Sequence, residues 1–139
     1  NILRKCTEIV EIMTNLLIVS HGNFASTLLE TSEMFIGKSE IVKAINYMPE
    51  DSPDLLYQKI EEAIKGKSNS DGVIIFCDMK GGSPANVAMK LSSNNKKIKI
   101  VTGVNIPVII EAITLAEDEN LDELIESLSK IIPNSVEII

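Results

Sequence analysis

The chain contains one histidine, His21, and its setting gives that residue chemistry. It closes an apolar run at residues 16–20 and precedes Gly22-Asn23, so it stands where a buried strand ends in a turn. A second apolar run, residues 73–77, ends in the same way at Asp78. A carboxylate beside an imidazole accepts one ring N–H and leaves the lone pair of the other nitrogen free to attack. It also stabilises the cation that forms when that nitrogen takes a phosphoryl group. Shortly after Asp78 comes Gly81-Gly82-Ser83-Pro84, which has the makings of an anion cradle. Its glycines let backbone approach a ligand, and Ser83 offers a hydroxyl and a helix cap. Pro84 suits a first helical position whose exposed N–H groups attract negative charge. Taken singly, these pieces are a turn, a loop acid and a helix start. Converging on one spot, they become a nucleophile, its orienting acid and a phosphate cradle.

That convergence depends on the elements that carry them. Four β-rich runs, at 16–20, 41–47, 73–77 and 98–102, alternate with helical patterns. The spacing predicts one helix from Phe24 towards Gly37. A second is capped by Asp51 or Ser52, has Pro53 first and ends near Gly66. Others start at Pro84 and Pro107, residues 121–132 are amphipathic, and residues 136–139 form a last short strand after Pro133. Continuous apolar strands alternating with helices predict a parallel sheet covered on both faces. Right-handed crossovers and four βα units then give a flavodoxin-like α/β fold with strand order 2-1-3-4. In that order strands one and three are neighbours, ~4.8 Å apart, and the chain reverses direction between them. Ligands of such sheets gather beyond the carboxyl ends of the strands at this switch point, where His21 and Asp78 lie. Thr102-Gly103-Val104-Asn105, at the end of strand four, is a further candidate lining. Met34, Met48 and Met79 are expected to be packing residues, and Lys80 adds positive charge next to the cradle.

The length of 139 residues suits one domain, expected over 13–139. Residues 1–12 form an extension, and Ile2, Leu3, Cys6, Ile9, Val10 and Met13 recur at the spacing of a short amphipathic helix. A net charge of −7 argues against a nucleic-acid partner and for a basic protein partner. Much of the acid lies in residues 117–126, where a solvated helix face accounts for it. Cys6 and Cys77 make no Cys-x-x-Cys pair, and Cys77 is expected in the core. No apolar run approaches the roughly 18 residues of a membrane span. Arg4, Lys5, Glu8 and Glu11 break up any secretory signal, so a soluble cytoplasmic protein is expected. No carboxylate cluster surrounds His21, and neither a metal nor a cofactor is called for.

Three segments carry a family resemblance. LIVSHGNFA at 17–25, FCDMKGGSPAN at 76–86 and TGVNIP at 102–107 closely resemble the mannose-family (mannose/fructose/sorbose) enzyme IIA of the bacterial phosphoenolpyruvate-dependent sugar phosphotransferase system. The resemblance runs from about Met13 to the C-terminus. It implies that His21 is phosphorylated on Nε2 by phospho-HPr and passes the group to an enzyme IIB, serving the membrane components IIC and IID. It assigns Asp78 as the histidine-orienting acid and Ser83 as the phosphate-binding hydroxyl. It also implies a homodimer in which residues 136–139 cross to the neighbour's sheet. Lys80 departs from the family pattern, where some members carry a large apolar residue. Four rival readings stand beside it. A non-covalent anion-binding module would use the same glycines. Histidine phosphatases resemble an Arg-His-Gly start, whereas Ser20 precedes His21. The phosphoryl-donor subunit of dihydroxyacetone kinase lacks the Gly-Gly-Ser-Pro-x-Asn form, and receiver domains need an acidic cluster after strand one.

Overall fold

A computed structural model describes residues 13–66 and 70–139, so the extension helix expected within residues 1–12 lies outside the described residues. Four strands, β1 (Asn15–His21), β2 (Val42–Tyr47), β3 (Val73–Cys77) and β4 (Ile98–Thr102), form one sheet. All pair in parallel in the order β2-β1-β3-β4, which is the expected topology. Alternation along β1 and β3 explains how one short sheet supports two cores. Leu16, Ile18, Ile74 and Phe76 point to one face and pack against α1 (Phe24–Ile36), α4 (Ile106–Ala116) and α5 (Leu121–Ile131). Leu17, Val19, Ile75 and Cys77 point to the other face, covered by α2 (Pro53–Lys65) and α3 (Ser83–Ser92). Every residue of β3 is buried, as a central strand covered on both sides must be.

The helix starts follow from their caps. Of the two candidates for α2, Ser52 is the cap, its hydroxyl accepting the Leu55 N–H at 3.1 Å. Asn105 caps α4 through the Val108 N–H at 3.0 Å, and Asn120 with Glu123 forms a reciprocal capping box on α5. Ser83 departs from expectation. The N-cap of α3 is Gly82, and Ser83 is the first residue inside the helix. Residues 136–139 also differ, because they form no strand within this chain. They follow a short 3-10 turn, Ile132–Asn134, and Val136, Ile138 and Ile139 are exposed. The acidic stretch is not idle surface throughout, since Glu119 accepts the Ser127 hydroxyl and Glu123 closes the capping box.

Candidate functional site

β1 runs one residue further than the apolar pattern implies, making His21 the last residue of the strand. Its backbone is therefore fixed by the sheet, which is a firmer mount than a loop. Asp78 follows directly on β3, and the parallel register brings the two together. The carboxylate Oδ2 accepts the His21 backbone N–H at 3.0 Å and lies 2.7 Å from Nδ1. An ionised carboxylate only accepts, so Nδ1 carries the proton, and in the neutral ring it is Nε2 that holds the lone pair. Burial pushes the Asp78 carboxyl up, but hydrogen bonds from the His21 backbone and ring, with the ring's charge and the Met79 N–H, outweigh it. The carboxyl is held below its ordinary range, so Asp78 stays an anion.

Gly81 and Gly82 serve different needs. Gly81 has φ +86°, a conformation that side chains rarely adopt, and it makes the turn from β3 into α3. Gly82 has an ordinary extended backbone but sits against the imidazole. A Cβ on it would stand 2.6 Å from His21 Cε1 and 3.4 Å from Nε2. The first turn of α3 thus lies beside the free ring nitrogen. Unlike α2, α4 and α5, this helix begins without a side-chain cap. The N-terminus of α1 is differently arranged, for Ser20 Oγ accepts the Ala25 N–H at 2.6 Å and Asn46 Oδ1 accepts the Ser26 N–H at 3.2 Å. Two of its donors are thus taken by side chains, whereas no side chain caps the start of α3. Ser83 is half-buried in that first turn.

Other expectations are redistributed. The polar atoms of Asn105 are engaged within the fold, for its Oδ1 caps α4 and its Nδ2 donates to Ser135 Oγ at 3.1 Å. Met34 and Met79 are exposed rather than packed, while Met48 is half-buried. Lys80 is exposed beside the cradle. Cys77 is fully buried, and burial with the adjacent Asp78 charge pushes its thiol up to about 12, which removes it as a nucleophile. Tyr47 went unnoticed in the sequence. It is the register partner of His21 on β2, and the two rings meet edge-on at 6.0 Å and 72°. Strand order 2-1-3-4 already placed the end of strand two beside His21, and that was the available signal. A cavity of about 650 Å³ opens at the opposite ends of the strands, around Asn15, Gly72 and Ile98, and contains none of these groups. Among the described residues no cluster of three or more His, Cys, Asp or Glu side chains is placed to hold a metal. Nor is any described helix long and apolar enough to cross a membrane.

An open parallel sheet with a carboxylate-held histidine at its switch point defines the class as a flavodoxin-like α/β protein. The comparisons carry this to a family. The model of the family described as PTS system fructose IIA component matches residues 15–129. The chain belongs to that mannose-type enzyme IIA family of the sugar phosphotransferase system. It is 32% identical over 111 residues to the mannose-specific EIIAB component of Escherichia coli K12, a match covering 79% of this chain and 34% of that protein. The chain thus spans about a third of the length of the first curated relatives it matches. The fructose-specific EIIA component of Bacillus subtilis is 26% identical over 126 residues, covering 91% of this chain and 86% of that one. Among solved structures, the IIA protein associated with the fucose utilization operon of Streptococcus pneumoniae superposes with a TM-score of 0.81 at 31% identity. That match covers 94% of this chain and 96% of the other.

Proposed function

We propose that this chain is a phosphocarrier that accepts a phosphoryl group from phospho-HPr on His21 Nε2 and passes it to an enzyme IIB during sugar uptake. The observation that carries the reading is the Asp78 carboxylate on Nδ1, with Nε2 turned to the uncapped start of α3. The Nε2 lone pair attacks phosphorus in line, and the bond from phosphorus to its donor breaks, its electron pair leaving with the donor. The proton on Nδ1 stays against Asp78, which offsets the positive charge gained by the ring. The phosphoryl oxygens rest against the first turn of α3 and the Ser83 hydroxyl, with the Gly81-Gly82 backbone bringing them close. Transfer to enzyme IIB is the same displacement with the carrier as donor. Positioning and charge stabilisation suffice for such a step.

The family relation and the apolar, exposed residues Val136, Ile138 and Ile139 support a homodimer in which residues 136–139 pair with the partner's sheet. Action in the cytoplasm, upstream of the membrane components IIC and IID, follows from the same reading. The test is intact mass after incubation with phosphoenolpyruvate, enzyme I and HPr, for wild type and His21→Ala. A single acid-labile adduct confined to wild type is expected. No adduct, under conditions that phosphorylate HPr itself, overturns the carrier reading and leaves a non-covalent anion-binding module.

A further inference from the structure

Asp78 restrains only one side of the His21 ring. The side chain is 44% exposed, and a single hydrogen bond leaves rotation about the Cβ–Cγ bond to be limited by packing. On the α3 side the neighbour is Gly82, which has no side chain to press on the ring. Packing beyond the Gly82 backbone comes from β2, the strand flanking β1 on the side away from β3. There Tyr47 is in register with His21, its carbonyl accepts the Gly22 N–H at 2.8 Å, and its ring meets the imidazole at 6.0 Å and 72°. The Tyr47 ring is itself half-buried against the core formed by Leu17, Val19 and Ile45, so it is a fixed wall and not a loose side chain.

We propose that Tyr47 is a positioning residue for His21. Its ring, opposite Asp78, keeps the imidazole turned so that Nδ1 stays on the carboxylate and Nε2 faces the incoming phosphorus. The contribution is the aromatic edge contact, so phenylalanine replaces tyrosine and an aliphatic residue does not. This rests on the phosphocarrier reading for its consequence, but the ring orientation can be measured without any phosphoryl donor.

The experiment uses Tyr47→Phe and Tyr47→Leu in two measurements. The first is the ¹⁵N signature of the His21 ring in the unphosphorylated protein. The second is the phosphorylation rate as a function of phospho-HPr concentration. Wild type and Tyr47→Phe should share one tautomer, protonated on Nδ1, and agree in rate within about twofold. Tyr47→Leu should show a mixture of ring states and a maximal rate about three- to tenfold lower, at an unchanged half-saturating HPr concentration. A leucine variant with the wild-type tautomer and rate overturns the proposal. So does a loss confined to the half-saturating concentration, which would make Tyr47 a docking residue. If leucine prevents folding, isoleucine, which suits a strand, carries the same test. If wild type takes no phosphoryl group the carrier reading fails, while the ring signature still decides the role of Tyr47.

Discussion

One oxygen of Asp78 holds His21 twice, by the backbone N–H at 3.0 Å and by ring Nδ1 at 2.7 Å. The first bond ties the end of β1 to the end of β3, and the second fixes Nδ1 as the ring nitrogen that faces the carboxylate. Asp78→Asn keeps the shape, removes the charge and lets the amide present N–H where the carboxylate presented oxygen. The expected result is a roughly 10²-fold slower phosphorylation of His21, with a Tm close to wild type. Stopped phosphorylation time courses beside thermal melts check it, and a rate within a factor of about two would remove Asp78 from the mechanism.

Acid should loosen the fold through two carboxylates. Asp71 accepts the Leu121 N–H at 2.9 Å, which outweighs its burial and, with Lys97 at 3.2 Å, lowers its pKa. For Asp78 burial acts upward and the His21 contacts prevail, again giving a lowered value. A folded pKa below the unfolded one means stability that is complete above the unfolded value of about 4 and lost as pH falls through the folded one. Urea midpoints of wild type and Asp71→Asn should therefore differ near neutrality and converge as pH falls below the unfolded value. A constant gap across that range would show that Asp71 acts by something other than its charge.

Much of this arrangement could be read from residue order. The runs at 16–20 and 73–77 are apolar because both faces of β1 and β3 are covered, and the prolines at 53, 84 and 107 mark true helix starts. What escaped was information that exists only in three dimensions. Residue order does not show that a Cβ at Gly82 would strike the His21 ring. Asn105 looked like crevice lining because it follows a strand, but its side chain serves α4 and Ser135. Tyr47 belongs to a strand that carries no motif, and only the register with β1 brings it to the site. Residues 136–139 have strand-forming composition but pair with no strand of this chain.

Gly72 is where the packing at the other end of the sheet is tightest. A Cβ there would stand 2.6 Å from the Lys97 carbonyl oxygen and 2.8 Å from Leu121 Cδ2. Neither neighbour yields easily, for one is backbone hydrogen-bonded to Val73 and the other opens α5 in the core. Gly72→Ala should cost about 1–3 kcal/mol and lower Tm by roughly 3–15 °C. Because His21 lies at the far end of the strands, the phosphorylation rate of the folded protein should be unchanged. A melt equal to wild type would mean that β3 and α5 shift apart without penalty.

At Gly82 the same one-atom addition should have the opposite outcome. The backbone there, φ −86° and ψ 167°, is open to any residue, so alanine introduces no strain of its own. The atom it strikes, His21 Cε1, belongs to a half-exposed side chain that can swing away. Tm should stay within a few degrees of wild type, since little packing is lost. The imidazole, however, must leave the position in which Nδ1 meets Asp78, and phosphorylation should slow by roughly 10²-fold.

Ser83→Ala separates a phosphate-binding role from a structural one. Had Ser83 been the cap of α3, its loss would cost about 1 kcal/mol of stability. Gly82 is the cap, and Ser83 is the first residue of the helix, so alanine, the better helix former, should leave Tm unchanged or slightly raised. The hydroxyl should matter only when a phosphoryl group is present. The expected result is therefore a phosphorylation rate lower by about tenfold, with the unphosphorylated protein as stable as wild type. Differential scanning calorimetry of both forms checks this: the serine should raise the Tm of the phosphorylated protein relative to alanine and leave the unphosphorylated pair together. If instead alanine lowers Tm in both forms equally, Ser83 is a structural residue of the turn, and the cradle consists of backbone alone.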